Sequence, residues 1–270
     1  MARSFSDRFG GAALITGASA GIGEAFAEAL AARGMSLVLV ARRRERLEAL
    51  ARRMEETHGV QTLVVAQDLA EPDAAERLGS AVEEAGVTVG LLVNNAGYGG
   101  YGAFEERDPS FDARMVDLNC RAPVLLTHRF LPSMLERGRG GLIFLSSIAS
   151  YQPTPWFAVY GATKAFDLMF AEALWAELGP KGIEVLALSP GYTPTEFQRV
   201  AGSADMKRPG GESTPEEVVE AALRCLGRRP SVVPGAFNRS LSLAVRVAPR
   251  ALVASIARRV SDPGRSRGGD

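Results

Sequence analysis

The fold is decided between residues 12 and 33, which read AALITGASAGIGEAFAEALAAR. Residues 12–15 form a short apolar run that predicts a buried strand, and the apolar spacing of residues 24–33 predicts an amphipathic helix. The glycines between them have the spacing GxxxGxG, which predicts a turn at the carboxyl end of the strand. A strand, a glycine-rich turn and a helix in this order are typical of the first unit of a parallel α/β sheet.

The three glycines of this turn have separate predicted roles. Gly17 permits a tight bend, Gly21 lets the backbone approach a phosphate, and Gly23 allows close packing of the helix. Amides at the helix N-terminus would face that anion. Similar glycine turns also serve purely structural roles, but the position at the first strand-to-helix junction favours nucleotide binding. We expect a dinucleotide to contact Gly17, Ser19, Ala20, Gly21, Ile22 and Gly23.

The same alternation of strands and helices continues along the chain. Further strands are predicted at residues 36–41, 61–66, 90–93, 141–145, 183–188 and 231–233. Helices are predicted at residues 45–58, 73–84, 111–136 and 157–179, and a last helix begins at Thr214. The sequence therefore predicts a doubly wound, mainly parallel, seven-stranded Rossmann sheet in a single domain over residues 1–237.

Length, charge and cysteine content exclude several classes of protein. The 270 residues suffice for one large α/β domain, and 31 basic and 31 acidic residues leave no net charge to attract nucleic acid. Cys120 and Cys225 lack the spacing of a zinc site or a disulfide framework, so we predict no metal site. We find no apolar signal segment and no run long enough to span a membrane. These features predict a cytoplasmic globular protein.

The second predicted strand ends in three arginines, at positions 42 to 44, with no acidic residue. In a dinucleotide fold this strand end meets the adenosine ribose, where an acid selects a free 2′-hydroxyl and an arginine accommodates a 2′-phosphate. The alternative is a solvated basic run at a helix start, but cations there oppose the helix dipole. We therefore predict NADP(H) rather than NAD(H), with Arg42 as the first candidate for the 2′-phosphate and Arg43 as the second.

Other strand ends supply further candidate cofactor contacts. Asp68 and Leu69 follow the third strand, where the carboxylate either accepts a hydrogen bond from adenine or caps the next helix. The asparagines after the fourth strand bridge neighbouring strands or contact the cofactor. The sixth strand leads into a predicted flap at residues 192–212, which brings threonines near the cofactor. These further contacts are predicted at Asn95, Ala96, Gly97, Pro190, Gly191, Thr193 and Thr195.

Residues 147–164 read SIASYQPTPWFAVYGATK and carry the candidate chemistry. On a helix, Tyr160 and Lys164 lie one turn apart on the same face. An ammonium favours the phenolate of a neighbouring tyrosine, which equips Tyr160 to exchange a proton with a carbonyl oxygen. Only three of the 31 basic residues are lysines, so a compact ammonium at this position is a selective choice. The alternative is an ordinary surface pair of tyrosine and lysine.

Two further positions are predicted from their neighbours. Side chains alternate on a strand, so only one of Ser146 and Ser147 is expected to face the pocket. Pro123 has no amide hydrogen, so the Asn119 carbonyl lacks its usual helical partner four residues on. That carbonyl either holds a water molecule or lies at an ordinary proline kink with a solvated carbonyl.

Taken together, several motifs resemble those of the short-chain dehydrogenase/reductase family. They are TGASAGIG at residues 16–23, NNAG at residues 94–97, Asn119, Ser147 and the Tyr160–Lys164 pair. They occur in the family's order and spacing, and the resemblance covers about residues 10–235. The arginine at position 42 resembles NADP(H)-preferring members, and the chain is similar to bacterial carbonyl reductases. The family spacing also favours Ser147 over Ser146.

The resemblance implies a catalytic set of Asn119, Ser147, Tyr160 and Lys164. Tyr160 would protonate a carbonyl oxygen while the nicotinamide delivers hydride to carbon, and Ser147 would polarise the same oxygen. Lys164 would assist Tyr160 and hold the nicotinamide ribose, so both residues would also contact the cofactor. The Asn119 carbonyl would anchor a water that relays protons through Lys164. Members of the family are usually dimers or tetramers, which implies a homodimer or a homotetramer here.

These features predict an NADP(H)-dependent oxidoreductase that interconverts an apolar ketone or aldehyde and its alcohol. Aromatic residues near the site and the loop at residues 98–104 predict an apolar pocket, although aromatic residues also fill protein cores. The pocket wall is predicted at Tyr98, Tyr101, Tyr151, Trp156, Phe157 and Tyr192. The rival prediction is a non-catalytic NADP(H)-binding sensor, which would have no need of an intact Ser, Tyr and Lys.

Residues 238–270 form a predicted basic amphipathic extension with a disordered tail from Pro263. They contain seven arginines and two aspartates, and many arginines alternate with apolar residues. Such a segment packs on its own domain or on a partner subunit, or its residues 238–260 contact an anionic membrane surface. We favour packing and keep peripheral membrane contact as the alternative.

Overall fold

The computed structural model of the protein describes residues 5–203 and 211–262. Seven parallel strands form one sheet in the order β3-β2-β1-β4-β5-β6-β7. The strands are β1 (Ala12–Thr16), β2 (Leu37–Ala41), β3 (Thr62–Ala66), β4 (Val89–Asn94), β5 (Gly140–Leu145), β6 (Ile183–Leu188) and β7 (Ser231–Val232). The predicted doubly wound parallel sheet is confirmed. The predicted tail from Pro263 and residues 204–210 of the predicted flap lie outside the described ranges.

Helices cover both faces of this sheet. They are α1 (Phe5–Phe9), α2 (Gly21–Ala31), α3 (Arg44–His58), α4 (Ala74–Glu84), α5 (Pro109–Val116), α6 (Ala122–Glu136), α7 (Ala158–Leu178), α8 (Phe197–Val200), α9 (Pro215–Cys225), α10 (Ala236–Val247) and α11 (Arg250–Ser261). On β1, Ile15 joins a core with α2, α3 and α9, whereas Leu14 joins a second core with α4, α6 and α7. The central strands are apolar on both faces because both faces are covered.

The predicted helix at residues 111–136 is interrupted in the structure. Between α5 and α6, residues Asp117–Arg121 form a π-helix. The Ala122 amide donates to the Asp117 carbonyl, five residues earlier rather than four. Pro123 follows directly and has no amide hydrogen, which explains why the regular helical pattern breaks here. The segment is therefore neither a regular helix nor a simple proline kink.

The strand order places a crevice at the carboxyl edge of the sheet. The chain passes from β1 to β2 and β3 on one side, and β4 to β7 lie on the other side of β1. Where the strand order reverses in this way, the loops beyond the strand ends diverge and leave room for a ligand. The glycine turn after β1 and the Asn95 segment after β4 flank this crevice.

The C-terminal segment folds as two helices that pack against the domain. Asn238 and Ser242 of α10 are buried, as is Val253 of α11. The Tyr101 hydroxyl donates to the Ser261 carbonyl at 2.6 Å, which fixes the end of α11. The described part of the C-terminal segment therefore packs on its own domain. Among the described helices, none combines the length and the hydropathy that crossing a bilayer requires.

Candidate active site

A cavity of about 610 Å³ lies at the carboxyl edge of the sheet. The loops after the first six strands contribute to it, together with α7, α8, α10 and α11. Every predicted catalytic and cofactor-binding residue lines this cavity except Gly23 and Asn119. The structure thus brings together positions that are up to 178 residues apart, from Gly17 to Thr195.

The glycine turn is shaped by close backbone packing. Gly17 has a φ of 67°, in the left-handed region that favours glycine. A Cβ on Gly23 would overlap the Gly17 carbonyl oxygen, so the start of α2 packs directly on the turn. A Cβ on Gly21 would lie 2.9 Å from Thr195 Cγ2, so this glycine also makes room for the flap. The turn therefore presents bare backbone to the cavity.

Thr16 and Asn95 tie this turn to β4. The Thr16 hydroxyl donates to the Val93 carbonyl at 3.1 Å and accepts from the Asn95 and Ala96 amides at 2.9 Å each. The Asn95 side-chain amide donates to the Thr16 carbonyl at 2.7 Å. Asn95 therefore bridges neighbouring strands, which is one of the two roles that its position allowed, and it also lines the cavity.

Arg42 and Arg43 lie at the same end of the cavity but are held differently. Arg43 donates to the Ser19 hydroxyl at 2.9 Å and to the Glu196 carboxylate of the flap at 2.6 Å. Hydrogen bonds from Arg43 and then Arg46 lower the pKa of Glu196 to about 2. The Arg42 side chain is 73% exposed, and its guanidinium lies 3.8 Å from Asp68. Arg43 is therefore the more firmly positioned of the two.

Asp68 lines the cavity as an ionised carboxylate and does not cap the next helix. It accepts from the Ala70 amide at 3.0 Å and from Arg114 at 2.7 Å, whereas Asp73 occupies the N-cap position of α4. Burial works to raise the pKa of Asp68, but the Ala70 amide and Arg114 outweigh it and hold the pKa below its ordinary value. The helix-cap alternative is thus wrong, and an adenine contact remains a prediction.

The two adjacent serines after β5 have different environments. Ser146 is 2% exposed, and its hydroxyl donates to the Lys164 carbonyl at 2.7 Å. Ser147 is half-buried, and its hydroxyl oxygen accepts from the Ala149 amide at 3.2 Å, a bond that leaves the hydroxyl hydrogen unused. Ser146 therefore joins β5 to α7, and the geometry favours Ser147 as the residue that meets a substrate.

Tyr160 and Lys164 lie in the first turns of α7, and both line the cavity. Lys164 is 4% exposed, and its Nζ donates to the Leu145 carbonyl at 2.6 Å and to Asp167 Oδ2 at 2.9 Å. Burial opposes the ammonium, yet Asp167 and then Tyr160 outweigh it and raise the pKa of Lys164 above its ordinary value. The alternative of a surface pair is therefore wrong.

Asn119 supports the cavity from behind rather than lining it. Its side-chain amide donates to the Tyr98 carbonyl at 2.9 Å and to the Thr163 hydroxyl at 3.0 Å, and its oxygen accepts from the Tyr98 amide. A Cβ on Gly97 would lie 3.0 Å from the same oxygen. The side chain therefore fixes the loop after β4 against α7. A water relay on the Asn119 carbonyl remains a prediction.

Apolar side chains also line the cavity. Phe157 and Phe197 flank the Tyr160 ring, with ring centroids 5.9 and 5.2 Å away. Leu241 of α10 and Val260 of α11 also line the cavity, so the C-terminal helices form part of its wall. The Tyr160 ring therefore lies between two apolar rings in the cavity wall.

The predicted aromatic wall needs a correction. Tyr98, Phe157 and Tyr192 line the cavity, but Tyr101, Tyr151 and Trp156 do not. Tyr151 is buried in the core and Tyr101 packs on Phe157 with centroids 5.0 Å apart, so these rings support the wall from outside. Aromatic content alone does not distinguish a ring that faces a cavity from one that packs behind it.

Two contacts hold the loop after β6 in place. Gln198 donates to the Thr193 carbonyl at 2.9 Å and accepts from the Thr195 amide at 3.0 Å. A Cβ on Gly191 would overlap the Asn238 side chain, so this glycine lets α10 approach the loop. Gln198 thus holds the start of the predicted flap, and the residue before the flap packs on α10.

Three contributions to the site were not predicted from the sequence. Asp167 is a lone acid in the apolar stretch after Lys164, and its i+3 spacing was a usable indication. Glu196 gives no local indication, because its partners lie about 150 residues away in the chain. Leu241 and Val260 belong to the predicted amphipathic extension, but its pattern of apolar residues does not reveal which of them meet the cavity.

Comparisons with known proteins show the family of the chain. The family model described as short chain dehydrogenase matches residues 11–205. The very-long-chain 3-oxoacyl-CoA reductase of Anas platyrhynchos is 36% identical over 220 residues, which are 80% of this chain and 68% of the relative. The 7beta-hydroxysteroid dehydrogenase of Collinsella aerofaciens is 34% identical over 241 residues, 86% of this chain and 89% of the relative.

Solved structures are similar over most of the chain. A 7beta-hydroxysteroid dehydrogenase matches with a TM-score of 0.85 and 30% identity, covering 94% of this chain and 99% of that one. A short-chain dehydrogenase from Sphingobium yanoikuyae in complex with NADPH matches with a TM-score of 0.76 and 34% identity, covering 87% and 92%. A bulky-bulky ketone specific alcohol dehydrogenase from Comamonas testosteroni matches at 0.72 and 32%, covering 89% and 96%. The chain therefore belongs to the short-chain dehydrogenase/reductase family of oxidoreductases.

Proposed function

We propose that the protein is an NADP(H)-dependent oxidoreductase that interconverts an apolar ketone or aldehyde and its alcohol. The observation that carries this proposal is that Ser147, Tyr160 and Lys164 open into the same cavity as the glycine turn. A cofactor on the turn and a carbonyl beside Tyr160 would therefore share one enclosed space. Family membership supports the reaction class, and the chemistry follows from these side chains.

The cavity residues fit a dinucleotide. The backbone of the turn is bare at Gly17 and Gly21, where a ligand phosphate can approach the helix N-terminus. Asp68 supplies an ionised acceptor at one end, and the Lys164 ammonium supplies a donor further along the cavity. When bound, the nicotinamide supplies the hydride for reduction or accepts it in the reverse direction.

Each catalytic side chain has a distinct role in this proposal. Tyr160 donates a proton to the carbonyl oxygen during reduction and removes it from the alcohol during oxidation. The Ser147 hydroxyl donates a hydrogen bond to the same oxygen, which stabilises the developing negative charge. Lys164 acts on Tyr160 through its positive charge and binds the cofactor ribose. The apolar rings of Phe157 and Phe197 exclude water around the phenol.

NADP(H) preference is supported by the basic end of the cavity. Arg42 and Arg43 lie where β2 ends. This strand has no acidic side chain that would accept a hydrogen bond from a ribose 2′-hydroxyl. Arg43 is already oriented by Ser19 and Glu196, so it is ready for a 2′-phosphate. The NADPH complex of the Sphingobium relative supports the same choice.

A bulky apolar carbonyl compound is the proposed substrate class. Phe157, Tyr192, Phe197, Leu241 and Val260 give the cavity a mostly apolar wall near Tyr160. The relatives named for a hydroxysteroid, a very-long-chain 3-oxoacyl-CoA and a bulky-bulky ketone support a substrate of this size and polarity.

The test is NADPH oxidation across a panel of carbonyl compounds graded by apolar size. The Tyr160→Phe variant keeps the ring and removes the proton donor, so turnover should fall by about a hundred- to ten-thousand-fold. Fluorescence titration with NADPH should give a similar affinity for both proteins. If both bind NADPH and neither reduces any compound, the sensor alternative replaces the enzyme.

Assembly and location remain predictions. We propose a homodimer or homotetramer, supported by the exposed apolar side chains Phe166, Met169 and Trp175 on α7. Peripheral membrane contact through residues 238–260 is tested by sedimenting the full chain with anionic liposomes, and a cytoplasmic location stays a prediction. Sedimentation with the vesicles would support membrane contact, and a protein that stays in the supernatant would oppose it.

A further inference from the structure

The catalytic lysine shares a buried ion pair with a neighbour on its own helix. Lys164 Nζ lies 2.9 Å from Asp167 Oδ2, and the two side chains are 6% and 4% exposed. Both residues lie on α7, three positions apart, so the pair forms within one turn of helix. Solvent cannot screen or replace either partner at this depth.

The hydrogen bonds of the ammonium leave one donor for the cavity. An ammonium has three hydrogens. One is donated to the Leu145 carbonyl at 2.6 Å and one to Asp167. Lys164 lines the cavity, and a Cβ on Gly97 would lie 3.5 Å from its Nζ. Two contacts to the protein therefore fix the Nζ in place and leave the third hydrogen for a ligand or for Tyr160.

Burying the Asp167 carboxylate at this position is energetically unfavourable unless it interacts with Lys164. Its Oδ1 is buried and receives no hydrogen bond from the described residues. A buried carboxylate with an unused acceptor is unfavourable, and buried ion pairs stabilise folds poorly compared with apolar residues of similar volume. Its neighbours Leu168 and Ala171 are buried apolar residues, and the buried Thr163 hydroxyl one turn earlier is hydrogen-bonded to Asn119 and to the Tyr160 carbonyl. The carboxylate is best explained by its effect on Lys164.

Two other titratable groups act on this pair. Tyr160 precedes Lys164 by one turn, and Cys120 faces the pair from the π-helix, with its Sγ 4.0 Å from the Thr163 carbonyl. Burial, and then the Asp167 charge, raise the pKa of the Cys120 thiol to about 12, so it stays neutral. Burial also raises the pKa of Asp167 to about 6 against the attraction of Lys164. At neutral pH the pair is therefore a carboxylate and an ammonium.

We propose that Asp167 is a positioning residue of the active site, whose carboxylate keeps the buried Lys164 charged and holds its Nζ against Leu145. Without this counter-charge, burial would favour the neutral amine. The charge that Lys164 presents to Tyr160 and to the cofactor thus depends on a residue that touches neither. This inference rests on the proposed function for its catalytic meaning, but the ion pair itself can be tested without turnover.

The first test follows the protonation of Lys164 by NMR. The chain has three lysines, so a protein with 13C-labelled lysine side chains gives few resonances, assigned with Lys181→Arg and Lys207→Arg. In the parent chain, the Lys164 resonance should stay in its charged position through pH 9. In Asp167→Asn, it should titrate at lower pH than in the parent. An identical titration in both proteins would overturn the proposal.

The second test separates charge from packing. Asp167→Asn keeps the shape and removes the charge, whereas Asp167→Glu keeps the charge and adds a methylene. If Asp167 acts through its charge, kcat with a bulky ketone should fall about tenfold or more in the Asn variant, with a larger loss at pH 9 than at pH 7. The Glu variant should retain more activity and the parent-like Lys164 titration. The reverse order would show that Asp167 only fills space.

The control is Glu184→Gln, which removes a carboxylate from the ion pair with Arg8 near the start of β6, away from the cavity. It should change neither the Lys164 resonance nor the pH profile. If Asp167→Asn fails to fold, the Glu variant and the parent titration still decide the outcome. A parent chain that titrates Lys164 below pH 8 would overturn the inference even if the enzyme is active. An inactive parent with a charged Lys164 would instead count against the proposed function alone.

Discussion

In the proposed function the cavity has a cofactor half around the turn after β1 and a substrate half that includes Phe197 and Val260. Different kinds of contact form these two halves. In the cofactor half, the turn after β1 is shaped by backbone contacts, such as Gly23 against the Gly17 carbonyl, and by Thr16 and Asn95 between adjacent strand ends. In the substrate half, Phe197 and Val260 come from segments that meet only after the chain has folded. A small side-chain substitution in the cofactor half should therefore impair NADPH binding. A similar substitution in the substrate half should be tolerated but should change the selectivity for the ketone.

The largest expected effect is that of Gly23→Ala. The added methyl would overlap the Gly17 carbonyl, so the turn or the start of α2 must move. We expect NADPH affinity, measured by fluorescence titration, to fall at least about a hundredfold. Gly179→Ala is the matched control, because a Cβ there meets no atom of the described residues within 4 Å. Normal NADPH binding by Gly23→Ala would contradict the expectation that the cofactor half tolerates substitutions less well than the substrate half.

Arg43→Ala should have the next largest effect. Arginine bonds to a phosphate are charge-assisted, so losing them should weaken NADPH binding by roughly ten- to a hundredfold. NADH has no 2′-phosphate, and its affinity should change little. The same titrations on Arg42→Ala show which arginine contributes more. An equal loss for NADH and NADPH would mean that Arg43 supports the glycine turn through Ser19 rather than the phosphate.

Val260→Ala should have a smaller and selective effect. Val260 lines the cavity, so removing its two methyl groups should lower kcat/KM for bulky ketones by about three- to tenfold, and less for small ketones. Ile256→Ala on the same helix is the control, since Ile256 is similarly exposed, at 52% against 47%, but is not part of the cavity wall. Equal effects of the two variants would mean that Val260 of α11 does not contact the substrate.

The smallest expected effects concern stability and pH. The folded pKa of Asp167, about 6, exceeds its ordinary 3.8, so its contribution to stability is fully present below pH 3.8 and is lost as the pH rises through 6. The pKa of Glu196, about 2, lies below its ordinary 4.5, so its contribution is present above pH 4.5 and is lost as the pH falls through 2.

Melting temperatures between pH 3 and 7 test these opposite signs. The difference between the parent and Asp167→Asn should decrease as the pH rises. The difference between the parent and Glu196→Gln should increase, and it should stay small because exposed ion pairs contribute little. Differences that run in the same direction would contradict the environments assigned to the two carboxylates.

The cofactor half could be predicted because its causes are local in the sequence. The glycines at positions 17, 21 and 23 are needed for backbone reasons, and consecutive strand ends of a parallel sheet meet at one edge. The same logic predicted the doubly wound parallel sheet and placed Tyr160 and Lys164 one helical turn apart. The π-helix before Pro123 was not predicted, because a missing amide hydrogen does not specify how the helix adjusts.

The substrate half could be predicted only in part. Its apolar character followed from the aromatic residues, but which rings face the cavity depends on packing, and Tyr101, Tyr151 and Trp156 face elsewhere. The pairing of Glu196 with Arg43 joins the flap to the loop after β2, and no local pattern encodes such a contact. The depth at which Asp167 and Lys164 lie was also a tertiary property.

The central claim is that hydride passes to a substrate carbonyl inside this cavity with Tyr160 as the proton donor. The most direct measurement uses NADPH deuterated at either face of C4, a bulky ketone, and mass spectrometry of the alcohol. We predict deuterium in the alcohol from one of the two epimers in the parent chain, and formation of labelled alcohol by Tyr160→Phe that is slower by about a hundredfold or more. NADPH oxidation that leaves the alcohol unlabelled with both epimers, or labelling by Tyr160→Phe at the rate of the parent, would contradict the claim.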